Sequence, residues 1–212
     1  MFKPIRLFSI LFLLTTACAA GTPKIRPCTW AQPVIGSSLR NFYRVSDEFY
    51  RSEQPKASDI RDLKELGIRT IVSLRHYHPD SREFARAGVA EIQYKMDAGS
   101  VSSSDLIAVL RIIRSAKKPV LLHCWHGSDR TGFIAAGYRI VMMAWSADKA
   151  IQELRLGGYG YHERYYPNIT TALRELDVTS VRNAVFGRTP HRPLNPEFLN
   201  SRHQTESGAG HM

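Results

Sequence analysis

The chain has 212 residues, 43% of them hydrophobic, and a formal net charge of +10. The length supports one ordinary domain with a real core, and the apolar share is that of a soluble globular protein. The three cysteines, Cys18, Cys28 and Cys124, form no CxxC pair and no Cys/His ladder, which excludes a disulfide scaffold and a structural zinc site.

The basic excess favours anionic partners: phosphorylated groups, acidic lipid headgroups or nucleic acid. Charge alone does not choose among them, and much of it serves as a solvated face. The N-terminus reads as a targeting segment. Lys3 and Arg6 precede the apolar run Leu7 to Leu14, which is too short to span a bilayer. Two processing patterns overlap after it. Ala17-Cys18-Ala19 fits signal cleavage, and Leu14 to Cys18 resembles a bacterial lipobox with Thr15 where an aliphatic residue usually stands. The reading leans to a lipoprotein tethered through lipidated Cys18. Either route predicts export, to a bacterial periplasm. Removing Lys3 and Arg6 leaves a charge of about +8, so the basic character belongs to the mature chain.

Residues 19–38, rich in proline and small polar residues, read as a linker. The domain is predicted over 39–188. Phe42 to Val45 and Phe49-Tyr50 suggest a short hairpin. Ser58 is predicted to cap a helix carrying Ile60, Leu63 and Leu66 on one face, ended by Gly67. Thr70 to Leu74 is predicted as a buried strand, Pro79 to Ala87 as a short helix, and Ala90 to Lys95 as a further strand. Ser102-Ser-Ser-Asp105 has capping-box spacing, and Leu106, Val109, Leu110 and Ile113 follow at helical intervals. Val120 to His123 is another buried strand. Arg130 to Ala144 is apolar nearly all round and predicts a central helix. Ser146 caps the next, ended by Gly157-Gly158, and Tyr165 to Val185 holds at least one more. The alternation predicts an α/β fold: a central, mostly parallel sheet of four to five strands flanked by helices. Residues 189–212 are polar and proline-containing and are predicted to form a flexible tail.

The chemistry concentrates in His123-Cys-Trp-His-Gly-Ser-Asp-Arg-Thr-Gly132, between a buried strand and the central helix. A loop closing onto a helix N-terminus turns backbone N–H groups inward and makes an anion site. Gly127 permits a turn that a Cβ hinders. The positive field favours a thiolate at Cys124, and Arg130 can fork two donors onto a phosphate. A nucleophile and a dianion cradle therefore come together.

The segment resembles the signature HCxxGxxR[ST]G of the cysteine-dependent protein tyrosine and dual-specificity phosphatases, with His123, Cys124, Gly127, Arg130, Thr131 and Gly132 in register. Asn41 to Val45, Tyr50 to Pro55 and Gly67 to Leu74 resemble the opening of compact bacterial members. The likeness is nearest to exported, periplasmic tyrosine phosphatases of Gram-negative bacteria and covers about residues 40–160. It implies that Cys124 attacks phosphorus, that Trp125, His126, Gly127, Ser128, Asp129 and Arg130 hold the phosphate, and that Thr131 assists release of the thiolate. It implies a phosphorylated protein substrate, with no cofactor, metal or nucleic acid. It also implies a general acid on a separate loop. Asp97, after a strand and before a Gly/Ser stretch, is preferred to Asp105, which already has a structural task in the first turn of a helix.

Several residues keep two readings. Trp125 stacks on a substrate ring or packs beside the loop, and His126 lines the mouth or is solvated. His123 is read as orienting the loop. His76 and His78 are read as loop residues, and Tyr159, Tyr161, Tyr165 and Tyr166 as packing and rim. The loop lacks the paired lysines of some inositol-phosphate-directed relatives, but Asp129-Arg-Thr131 is similar to some phosphoinositide phosphatases, so that substrate stays open. A phospho-ligand-binding pseudo-phosphatase and a rhodanese-type sulfur transferase are the competing classes. The Arg130-Thr-Gly132 ending fits phosphate better than sulfur transfer.

Overall fold

The computed structural model describes residues 26–77 and 81–187. The targeting segment, Cys18, residues 78–80 with His78, and the predicted tail lie outside the described residues.

Strands β1 (Gln32–Pro33), β2 (Tyr43–Ser46), β3 (Phe49–Ser52), β4 (Thr70–Ser73), β5 (Ala90–Gln93) and β6 (Val120–His123) form one sheet in the order β1-β2-β3-β6-β4-β5. The first three pair antiparallel, while β3, β6, β4 and β5 run parallel. The fold is α/β, as the alternation predicts. The sixth strand is the two-residue β1, too short to carry a period-two signal.

Successive residues of the central strands face opposite sides of the sheet, which explains their unbroken apolar runs. Ile71 and Leu121 pack with Tyr50, Leu63, Ile68, Phe84 and Val89 on one face. Val72, Val120 and Leu122 pack on the other, against the larger cluster of Leu106, Leu110, Phe133, Ile134, Ile140 and Leu154. Each such side chain, fully buried, contributes roughly 1.5–3 kcal/mol of transfer free energy.

The smaller face carries α1 (Ile60–Glu65) and α2 (Ser81–Arg86). The larger carries α3 (Ser103–Ser115), α4 (Asp129–Met143), α5 (Ala147–Leu156), α6 (Asn168–Arg174) and α7 (Val178–Phe186). Helix α4 is buried almost all round, with the other four against it or beside it. At Gly137 a Cβ would lie 2.3 Å from Leu106 Cδ1, so glycine sets how closely α3 and α4 approach. The helix stops at Met143, one residue before the predicted end. Ala144 turns left-handed (φ 56°), and Trp145 N donates to Arg139 O.

The structure alters two predictions. Residues 26–38 are not linker. β1 pairs with β2, Ala31 is buried, and Arg26 donates to the carbonyls of Ala31 and Gly157 and to Tyr159 Oη. Ser58 does not cap α1. A 3-10 turn over Ala57–Asp59 leads into the helix, and the Asp59 carboxylate accepts from Lys56 N at 2.7 Å and Ser38 Oγ at 3.0 Å. The segment from Tyr165 to Val185, predicted to hold at least one helix, holds two, separated at Leu176 and Asp177, and Asp177 caps the second. The Ser102 capping box and the Ser146 cap stand where the spacing predicts them. Cys28 is exposed and Cys124 buried, both as free thiols.

Candidate active site

Ser52, Ser73 and His123 end their strands in register, so β3, β4 and β6 open together at one edge of the sheet. That carboxyl edge is where an open α/β sheet offers a crevice. The chain crosses it from His123 to Asp129, the first residue of α4. His123 is buried, and its ring Nδ1 lies 3.0 Å from Cys124 O, which suits the orienting task predicted for it.

The loop's other carbonyls are each taken by a different part of the scaffold. Gln54 N donates to Trp125 O at 3.1 Å, Asn41 Nδ2 to His126 O at 2.8 Å and Arg51 Nη2 to Gly127 O at 2.6 Å. Among the described residues the N–H groups of Trp125, His126, Gly127 and Ser128 make no hydrogen bond. With the carbonyls pulled outward, these donors remain for an anion at the N-terminus of α4. Gly127 is required twice over. Its φ is +72°, and a Cβ would lie 2.3 Å from Ser52 O.

Arg130 stands in the first turn of α4. Its Nη1 donates to Leu74 O (3.1 Å) and Met96 O (3.3 Å), at the ends of β4 and of the segment after β5. One edge of the guanidinium is thereby fixed by backbone. Thr131 is fully buried, and among the described residues its Oγ1 has no hydrogen-bond partner. A buried hydroxyl left unpaired is costly unless a partner arrives during function.

Ser128 Oγ donates to Tyr159 O at 2.7 Å. Asp129 accepts from His162 N at 2.9 Å and faces His162 Nδ1 at 2.9 Å, so its carboxylate holds the Tyr159–His162 segment against the loop. His126 is exposed, as is Trp125 at 54%. Neither packs in the core, and their rings form a row with His162 and Tyr165 at centroid separations of 6.3, 6.0 and 6.4 Å.

The two acid candidates differ in their surroundings. Asp105 is occupied: its carboxylate accepts from Ser102 N (2.9 Å), Ser102 Oγ (2.6 Å) and Tyr94 Oη (2.8 Å). Asp97 is exposed and follows Met96, whose carbonyl Arg130 binds. Among the described residues its side chain accepts only from Gly99 N, at 3.2 Å.

The quoted loop did not itself reveal its clamps, which come from far along the chain. Arg51 is 2% exposed and lies with its guanidinium 3.7 Å from the Tyr159 ring centroid. Burial lowers its pKa, while Tyr159, Glu153 and Cys124 oppose that shift. An arginine remains charged through such a shift. Tyr159 in turn donates to Glu153 Oε1 at 2.8 Å, and Glu153 pairs with buried Arg139 at 2.9 Å. Burial raises the Tyr159 pKa, so its hydroxyl stays neutral and keeps that donation. The sequence carried one trace of Arg51: a cation inside the short strand Phe49–Ser52, all four residues of which are buried.

A loop with unpaired N–H donors among the described residues, a buried thiol at its start and a fixed guanidinium at its end suits a cysteine-dependent phosphatase. Sequence and structure comparisons agree. The chain belongs to the tyrosine phosphatase family, whose pattern matches residues 38–167. It is 36% identical over 170 residues to the dual specificity protein phosphatase TpbA of Pseudomonas aeruginosa, covering 79% of this chain and 76% of that one. The crystal structure of P. aeruginosa TpbA superposes with a TM-score of 0.69 at 34% identity, over 76% of this chain and 99% of that one. Inositol diphosphatase DSP3 of Arabidopsis thaliana is 28% identical over 122 residues, covering 53% of this chain and 60% of its own.

Proposed function

We propose that this phosphatase hydrolyses phosphotyrosine, and also phosphoserine or phosphothreonine, in protein substrates through a phosphocysteine intermediate and without a metal. The observation that carries the reading is the loop itself: the carbonyls of Trp125, His126 and Gly127 are taken by the scaffold, while among the described residues the N–H groups of Trp125 to Ser128 keep no partner, and Arg130 stands fixed in the first turn of the helix that follows. TpbA carries the dual-specificity description and has been solved in complex with pTyr, which supports the same substrate class here.

In the first step the Cys124 thiolate forms a bond to phosphorus and the ester P–O bond breaks. The loop N–H groups of Trp125 to Ser128 and the Arg130 fork hold the non-bridging oxygens as charge shifts onto them. Asp97, as the carboxylic acid, gives its proton to the departing oxygen. In the second step a water attacks phosphorus, the carboxylate of Asp97 takes the water's proton, and the S–P bond breaks. The Thr131 hydroxyl, buried and without a partner among the described residues, then donates to the thiolate that leaves. Asp129 serves the cradle indirectly, by tying it to His162.

The likeness to inositol diphosphatases spans about half of this chain, so an inositol phosphate is the second substrate to assay. We also propose that the protein is exported to a periplasm, tethered through Cys18. That reading rests on residues 1–18, and globomycin-sensitive processing or lipid labelling lost in Cys18→Ala tests it. The catalytic reading is tested by hydrolysis of an aryl phosphate in the presence of a chelator. Wild type turns over and Cys124→Ser does not; equal rates for the two sink the cysteine mechanism.

A further inference from the structure

Beside the loop lies a second arginine that the mechanism does not use. Arg75 follows Leu74, whose carbonyl binds Arg130, and its guanidinium stacks 3.9 Å from the ring centroid of Trp125, the residue after Cys124. Both ends of the residue are held. Its Nη1 donates to Gln54 Oε1, and its carbonyl accepts from Gln93 Nε2 at 2.9 Å. Gln54 is itself fixed to the loop through Trp125 O.

Among the described residues no carboxylate pairs with Arg75. Burial lowers its pKa, the like charge of Arg130 adds to that, and Cys124 opposes both. Two guanidiniums near one nucleophile repel each other, and an anion bound to each relieves the repulsion. Arg130 and the loop N–H groups take the phosphate that reacts. Arg75, partly exposed and stacked on the exposed Trp125, is placed to take a neighbouring negative group. The mouth is an open surface: Trp125, His126, His162 and Tyr165 are all exposed and lie in a row. Such a surface suits an extended peptide better than a compact polyanion.

We infer that Arg75, stacked on Trp125, is a specificity subsite that binds the carboxylate of an acidic residue flanking the phosphotyrosine of a peptide substrate. The inference rests on the phosphatase reading above and extends it to substrate sequence. A planar fork held by stacking loses little freedom on binding a carboxylate, and a charge-assisted bond of this kind discriminates by about tenfold.

The test compares two phosphotyrosine peptides that differ only in having Glu or Ala beside the phosphotyrosine. The readout is the ratio of their kcat/KM values within each enzyme. Wild type favours the Glu peptide by about tenfold, and added salt erodes the preference. In Arg75→Gln the ratio falls to about one, and in Arg75→Lys, which keeps the charge but loses the fork, it lies between. An unchanged ratio in Arg75→Gln overturns the inference, as does an equal loss on both peptides, which marks Arg75 as support for Trp125. Selective loss on an inositol carrying a second phosphate, with the peptide ratio intact, also overturns it. Binding of the same peptides to Cys124→Ser and to Cys124→Ser/Arg75→Gln reads the ratio without turnover. Failure of Arg75 to discriminate is thus separate from failure of the chemistry, which shows as no hydrolysis of aryl phosphate by wild type.

Discussion

From Cys124 to Ser128 each residue of the nucleophile loop is tied to the scaffold: to His123, Gln54, Asn41, Arg51 and Tyr159 in turn. Asp97, across the sheet edge, is exposed, and among the described residues its side chain keeps one hydrogen bond, accepted from Gly99 N two residues on. In the proposed mechanism the two regions serve different needs. A cradle must hold its dipoles in place before charge develops, because reorganising them during the reaction raises the barrier. A proton donor must reach leaving groups of different shape, and a lightly held residue before Gly99 can do so.

The contrast can be broken from either side. Arg130→Ala removes the charged end of the cradle and is expected to lower kcat/KM for an aryl phosphate by roughly a thousandfold or more. A loss under about tenfold would mean that the loop N–H groups suffice without it. Asp97→Asn is expected to slow poor leaving groups by about a hundredfold while sparing good ones, as shown by a plot of rate against leaving-group pKa. Asp105→Asn should leave that plot unchanged and instead lower stability by about 1 kcal/mol, read by urea melts, through its capping box. An exchange of these two behaviours transfers the acid to Asp105.

Arg51→Met sharpens the rigid side. It leaves the buried Gly127 carbonyl without its donor and should cost roughly 1–3 kcal/mol in stability. It should also raise the KM for aryl phosphate and weaken phosphate inhibition in parallel, a change that a purely structural loss would not produce in the remaining folded enzyme. The smallest effect belongs to His162→Ala. The Asp129 pair it removes is partly exposed, with His162 at 44% and Asp129 at 12%, and is worth at most about 1 kcal/mol. A large loss there would mean that the Tyr159–His162 segment, and not β3, fixes the loop.

The same contrast decides what could be read from the sequence. Cys124, Gly127, Arg130 and Thr131 are local: their spacing, the strand before and the helix after are written within ten residues. The central strands were legible as short apolar runs, α4 as a longer one, and α3 and α5 because their apolar periods match the faces they bury, while the two-residue β1 carried no such signal. The clamps were not. Arg51, Asn41 and Tyr159 reach the loop from 31 to 85 positions away, and a single sequence does not show which distant donor meets which carbonyl. Residues 26–38 were misread for a related reason. Prolines and small residues gave them a linker's composition, but Arg26 and the Ala31 amide satisfy Tyr159 and Glu153 deep in the fold. Arg75 looked like one more charge of a basic chain until its stacking on Trp125 was visible.

The central claim is that phosphate passes through Cys124. Thr131→Ala should slow release of the thiolate more than its attack, so the covalent intermediate should accumulate during turnover. Acid quenching of that variant with an aryl phosphate, followed by peptide mass spectrometry, should find the phosphoryl group on Cys124. Phosphate on His123 or His126, or steady turnover with no phosphoenzyme in either the variant or wild type, would contradict the account.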